Sequence, residues 1–257
     1  MPTKTILSLD GGGSHLLIQL GVLACLEQET GLSTYQRFDL MAGSSSGGLI
    51  ACLILAEESS ASDLIQKVLQ EQLMEQLMVE RRLSSLLNKL QILPKYCGNA
   101  KKRALQKQFG QIRLSSLKKP LFIPCFNLDR DQLEIFNNDA PHDFLLSEIA
   151  DACTAAPSFF PPVQMQDGHW RIDGGVGMNN PGLSAYFHAV DQWQGVDIKM
   201  FSIGSGWRSF NFAGAPACKY GGLQWSAKGI ASVILREKMM TNVKTTQAVL
   251  GDRVLYI

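Results

Sequence analysis

The sequence lacks most of the features that mark a specialised protein class. It has no excess of either charge. Twenty-four lysines and arginines stand against 23 aspartates and glutamates, a net of +1, so nothing global draws the chain to nucleic acid. It has no long apolar run. The longest are Leu16–Leu26, broken by Gln19 and Gly21, and Gly47–Ala56. Both fall short of the roughly 20 residues a membrane-spanning helix needs. Among the six cysteines (Cys25, Cys52, Cys97, Cys125, Cys153 and Cys218) there is no Cys-x-x-Cys pair, which removes zinc and thioredoxin-like spacings. Scattered thiols inside apolar runs fit free core residues in a reducing compartment. No Asn-x-Ser/Thr site occurs, and the short apolar start Ile6–Leu9 is interrupted by Ser8 and runs into Asp10 and three glycines. Neither agrees with secretion, so the cytoplasm is the expected location. Internal repeats, low-complexity tracts and a Pro/Gly linker are also missing, so one domain is expected over residues 1–257.

What is present is a regular alternation of strand and helix patterns. Strands are expected at Lys4–Leu9, Phe38–Ala42, Pro120–Phe126, Gln132–Phe136, Trp170–Asp173, Ile198–Ile203 and Arg253–Ile257. Helices are expected from about Ser14 to Glu29, over Gly48–Ala56, from Asp63 onward, over Lys101–Phe109, Leu146–Ala156 and Pro181–Trp193, and over most of Gly222–Val249. This order predicts an α/β three-layer sandwich, with a largely parallel central sheet flanked by helices. The helical segment of about 57–118 has no evident place in that scheme.

Three short motifs carry the chemistry. The first is Gly43-Ser44-Ser45-Ser46-Gly47, which fits G-x-S-x-G only with Ser45 at the centre. A nucleophile elbow needs such glycines where the backbone passes closely, and its following helix favours developing negative charge. The bare string also fits a Ser/Gly helix cap, but a strand before it and a buried helix after it favour the elbow. The second is Asp10-Gly11-Gly12-Gly13, between the first strand and the first helix. A dinucleotide fingerprint fails at Leu16, and no Gly-Lys-Ser/Thr follows for a P-loop. Backbone N–H groups gathered as an oxyanion hole are the better reading. The third is Asp173-Gly174-Gly175 at a strand end; alone it reads as well as an aspartate in a β-turn.

In order, spacing and neighbours, these motifs resemble the patatin-like phospholipase family. Supporting stretches are Ala152–Pro162 (ACTAAPSFFPP), Gly175–Pro181 and Phe201–Gly206. His15 stands where the family has Arg or Lys, and Leu16 replaces its next glycine. The resemblance implies a lipid acyl hydrolase, with Ser45 as nucleophile and Asp173 as the base that takes its proton. It implies an oxyanion hole of N–H groups from Gly11, Gly12, Gly13 and Ser46, elbow glycines Gly43 and Gly47, and Asp-motif glycines Gly174 and Gly175; His15, which opens the first helix beside that hole, is a candidate to line the site by its position. Neither metal nor cofactor is called for. The implied substrate is a membrane phospholipid or lysophospholipid met by peripheral membrane contact, with a protein or nucleotide activator as an open question. The alternatives are a general carboxylesterase or acyltransferase, and a non-catalytic lipid-binding module.

Other features read more plainly. Asn127-x-Asp129-x-Asp131 lacks the glycine and glutamate of a calcium loop, having Gln132 and Asn138 there. His188 reads as packed, His142 and His169 as exposed in polar turns. The stripe Leu64, Ile65, Val68, Leu69, Leu73, Leu77 and Met78 reads first as a core-facing helix and second as a lid that dips into lipid. Lys101, Lys102, Arg103 and Lys107 read as a solvated face or a contact for anionic headgroups.

Overall fold

The fold comes from a computed structural model that describes residues 2–81, 93–139, 142–206 and 214–257. Its centre is β1 (Thr3–Leu9), with β2 (Leu40–Gly43) and β7 (Asp197–Ile203) parallel on either side. β8 (Val254–Tyr256) extends the sheet beyond β7, also parallel. β3 (Leu121–Asn127) lies parallel to β2 and forms a hairpin with β4 (Gln132–Asn137). β6 (Trp170–Asp173) pairs antiparallel with β3, and β5 (Val163–Gln164) with β6.

One detail of register places the site. β4 occupies one edge of β3 along Phe122–Asn127, so β2 and β6 share the other edge. β2 pairs there at Leu121–Phe122 and β6 at Cys125–Asn127. One runs with β3 and the other against it, so their carboxyl ends meet head to head. Only Ile123 and Pro124 separate their pairing positions along the shared edge, about 10 Å at strand rise.

Alternation along the strands builds two cores, one on each face of the sheet. Leu7, Leu9, Met41 and Ile123 face the helices Leu16–Thr30, Ser46–Glu57, Ala61–Gln70 and Leu146–Cys153. Ile6, Leu40, Ala42 and Phe122 face Ala185, Tyr186 and Ala189 of Gly182–Gln192 and Leu250 at the end of Ile230–Leu250. The result is the expected three-layer α/β sandwich with a largely parallel sheet. The helix Ser46–Glu57 is buried at every position from Ser46 to Leu55. It can be apolar all round because packing meets it on every side.

Two helical expectations need correction. The pattern from Asp63 is not one helix: Gln72 takes a left-handed φ of 50° and divides it into Ala61–Gln70 and Leu73–Leu77. Leu64, Val68, Leu73 and Leu77 of the stripe are buried in the main core, and only Leu69 turns outward. The core-facing reading holds, and the stripe is not a lipid-facing lid. Residues 82–92 of the same segment lie outside the described residues. Lys101 is likewise not on a solvated face. It is buried in the helix Gly98–Phe109, where its Nζ pairs with Asp151 Oδ1 at 3.0 Å and donates to the Asp151 carbonyl at 2.8 Å. The ring of Phe160 closes over it, 4.3 Å away.

Candidate active site

Ser45 stands between the end of β2 and the helix Ser46–Glu57, with φ 51° and ψ −122°. A non-glycine residue held there stores roughly 1–3 kcal/mol of backbone strain. The surroundings hold it: the N–H groups of Gly47 and Gly48 both donate to the Ser44 carbonyl, and Ser44 N–H donates to Leu9 O at 3.1 Å. The glycines Gly43 and Gly47 are required by close approach. A Cβ on Gly47 would sit 2.5 Å from the Leu9 carbonyl oxygen, and one on Gly43 would overlap the Gly47 carbonyl. The strand-to-helix turn expected from the motif is therefore present.

Asp173 arrives from the opposite direction at the end of β6. Its N–H is fixed by the Ala155 carbonyl at 3.1 Å. Its Oδ1 accepts the Gly175 N–H at 2.8 Å, and its Oδ2 accepts the Ser45 hydroxyl at 2.5 Å. A Cβ on Gly174 would overlap the Pro124 carbonyl, so this turn also presses against β3. Burial pushes the Asp173 carboxyl up to about 6, against the downward pull of the Ser45 hydroxyl, the Gly175 N–H and the Lys101 cation. Two residues 128 positions apart thus meet across the gap in the β3 edge.

The glycine loop lies beside this pair, and a Cβ on Gly11 would come within 3.1 Å of the Ser45 Cβ. Only part of its expected donor set is available. Gly11 N–H already donates to the Asn179 carbonyl at 3.0 Å, and Gly12 N–H donates to Ser46 Oγ at 3.0 Å. Among the described residues, no acceptor meets the N–H of Gly13 or of Ser46. Each opens a helical turn, where unpaired N–H groups are the rule. Of the four expected donors, the N–H groups of Gly11 and Gly12 thus have acceptors in this structure, and those of Gly13 and Ser46 meet none among the described residues. Ser46 also contributes more than backbone, because its hydroxyl holds the loop.

The loop's outer supports were not singled out as site residues in the sequence. Asn179 Nδ2 and Ser205 Oγ both donate to the Gly11 carbonyl. Asn179 lies in the Gly175–Pro181 stretch and Ser205 in Phe201–Gly206, so the signal was their presence there. Asp10 is buried and receives Asn180 Nδ2 at 2.6 Å and the Tyr256 hydroxyl at 3.0 Å. Burial pushes its carboxyl up to about 7. The last strand thereby anchors the first residue of the loop.

The histidines stand apart. His15 is exposed at the start of the first helix. His169 faces Asp129 and Arg130, His188 packs on Phe122 near Asp139, and His142 lies edge-on to Phe144. His188 is packed as expected, His142 is exposed, and His169 is half-buried. No histidine among the described residues contacts Ser45 or Asp173. Among the described residues no cluster of metal-ligating side chains occurs, and none of their helices is long and apolar enough to cross a membrane.

Comparison with known proteins gives the family. The patatin-like phospholipase family profile matches residues 7–186, from β1 past Asp173. Patatin-like protein 1 of Arabidopsis thaliana is 32% identical over 210 residues, covering 70% of this chain and 50% of that protein. Probable inactive patatin-like protein 9 of the same plant is 28% identical, covering 78% and 60%. A cGAMP-activated phospholipase of Pseudomonas aeruginosa is 31% identical, covering 80% and 63%. The chain spans about half to two-thirds of the length of these relatives. With the profile match running through both the elbow and the aspartate motif, the chain belongs to the patatin-like phospholipase family.

Proposed function

We propose that this chain hydrolyses the carboxylic esters of phospholipids or lysophospholipids through a Ser45–Asp173 dyad and an acyl-enzyme. The observation that carries the reading is the 2.5 Å hydrogen bond from the Ser45 hydroxyl, on a strained elbow, to a buried carboxylate. Ser45 Oγ attacks the ester carbonyl while Asp173 Oδ2 takes its proton. The carbonyl oxygen becomes an oxyanion facing the N–H groups of Gly13 and Ser46, each such donor being worth roughly 3 kcal/mol of the barrier. As the tetrahedral intermediate collapses, the leaving alcohol receives the proton from Asp173. Water then attacks the acyl carbonyl while Asp173 takes its proton, and collapse of this second tetrahedral intermediate returns that proton to Ser45 Oγ and releases the fatty acid. Backbone N–H donors supply the charge stabilisation, so the cycle asks for no metal.

The 257 residues work as one domain in this reading, since a single sheet runs from β1 to β8 and the last strand supports the loop of the first. A non-catalytic module is the rival, and one relative bears the name of an inactive protein. Asp173 argues against it here, because burying a carboxylate that has no task costs stability. Another relative is named for activation by cGAMP, so assays belong with and without cyclic dinucleotide. The test is a fluorophosphonate probe followed by peptide mapping. Label on Ser45, together with fatty-acid release from lysophospholipid micelles, is the expected result. No label in either condition supports the non-catalytic module.

A further inference from the structure

Of the two segments that read as lipid-facing in the sequence, the 64–78 stripe is core, and in the basic run Lys101 is buried while Lys102, Arg103 and Lys107 are exposed. A third segment presents apolar side chains that no described residue covers. The helix Ile230–Leu250 is anchored by Met239, Val243, Thr246 and Leu250, and upstream of Met239 none of its side chains is buried. Ile234 is 61% exposed and Leu235 36%. This bare half adjoins the candidate site. Met239 Sδ lies 3.2 Å from Asn179 Nδ2, the amide that also donates to the Gly11 carbonyl. At helical rise, Ile234 and Leu235 stand about 6–8 Å along the axis from that contact. Leu17 and Ile18, also exposed, open the helix that follows the glycine loop.

Charge identifies the occupant. Residues 214–250 carry five cations and one acid, Glu237, whereas the rest of a chain with net charge +1 is net negative. Lys228 and Lys238 are exposed on either side of the apolar turns. A second copy of the chain is disfavoured, because a two-fold axis would set the same lysines against each other. We infer that the half-helix Ile230–Lys238 docks the protein on an anionic bilayer surface, with Ile234 and Leu235 entering the interface and Lys228 and Lys238 meeting lipid phosphates. This rests on the lipid-hydrolase reading, since it gives the site its route to substrate.

Vesicle flotation in a Ser45→Ala background tests docking without activity. The parent should float with phosphatidylcholine vesicles that contain phosphatidylglycerol, and much less with phosphatidylcholine alone. Lys228→Glu/Lys238→Glu should weaken binding by roughly fivefold per lysine. Ile234→Ser/Leu235→Ser should weaken binding to both vesicles. With Ser45 restored, both pairs should turn over a short soluble ester like wild type, which also shows that they fold. Flotation of the charge-reversed pair equal to the parent would overturn the inference. So would a parent dimer that Ile234→Ser/Leu235→Ser converts to monomer. A parent that floats as expected while the Ser45 protein cleaves no ester leaves the docking surface standing and removes the proposed reaction.

Discussion

Asp173 can be tested through its own titration. Burial lifts its carboxyl from an ordinary 3.8 to about 6, which is about 3 kcal/mol against ionisation. A general base works only when deprotonated, so the rate rises with pH. At pH 5 about a tenth of the enzyme carries the carboxylate, at pH 6 half, and at pH 7 about nine-tenths. The kcat/KM for a short soluble ester should therefore climb about tenfold from pH 5 to 7 and then level off. An aspartate at its ordinary value would give a flat profile over that range. A histidine base would also give a limb near pH 6.5, so the profile is measured at two temperatures. Carboxyl ionisation is nearly athermal and its midpoint stays in place, whereas an imidazole midpoint falls on warming. A flat profile, or a midpoint that moves with temperature, refutes the reasoning. A soluble substrate keeps membrane binding out of the measurement.

Three further outcomes are expected. Ser46→Ala removes the acceptor of the Gly12 N–H; initial rates should show kcat reduced several-fold with KM little changed, and a wild-type kcat would deny the hydroxyl its hold on the loop. Leu77→Asp places a charge at a 5%-exposed core position and should lower stability by several kcal/mol in urea unfolding, where a lid residue would leave the midpoint in place. Asp10, raised to about 7, contributes stability that is fully present below about pH 3.8 and lost as pH rises through 7. Asp173 acts in the same direction through about 6. Asp10→Asn should therefore flatten the fall in Tm between pH 5 and 8, and an unchanged slope would refute the assignment.

The parts of the molecule that were legible in the sequence are those fixed by local rules. Strand β2, the elbow and the buried helix after it follow from apolar runs interrupted by glycines that tight turns need. Asp173 was legible as the end of a strand beside two glycines. Its meeting with Ser45 was legible only through the family resemblance, because in the fold it depends on two strands sharing one edge of β3, which no local pattern shows. Gly11 and Gly12 read as free donors because their acceptors, Asn179 and Ser46 Oγ, come from distant segments. Lys101 sits in a run of basic residues that looks solvated. Its burial is made tolerable by tertiary partners, Asp151, Thr154 and Phe160. The division at Gln72 was also invisible, since glutamine is an ordinary helix former and the apolar spacing continues across it.

The central claim is that Ser45 and Asp173 act as one unit. Initial rates on a soluble ester for Ser45→Ala, Asp173→Asn and the double variant test it most directly. Asn keeps the shape of the aspartate and cannot take the proton. The account predicts that each single change removes nearly all turnover and that the double variant is little worse than either. Near-wild-type turnover in folded Asp173→Asn, or losses that simply multiply in the double variant, would contradict it.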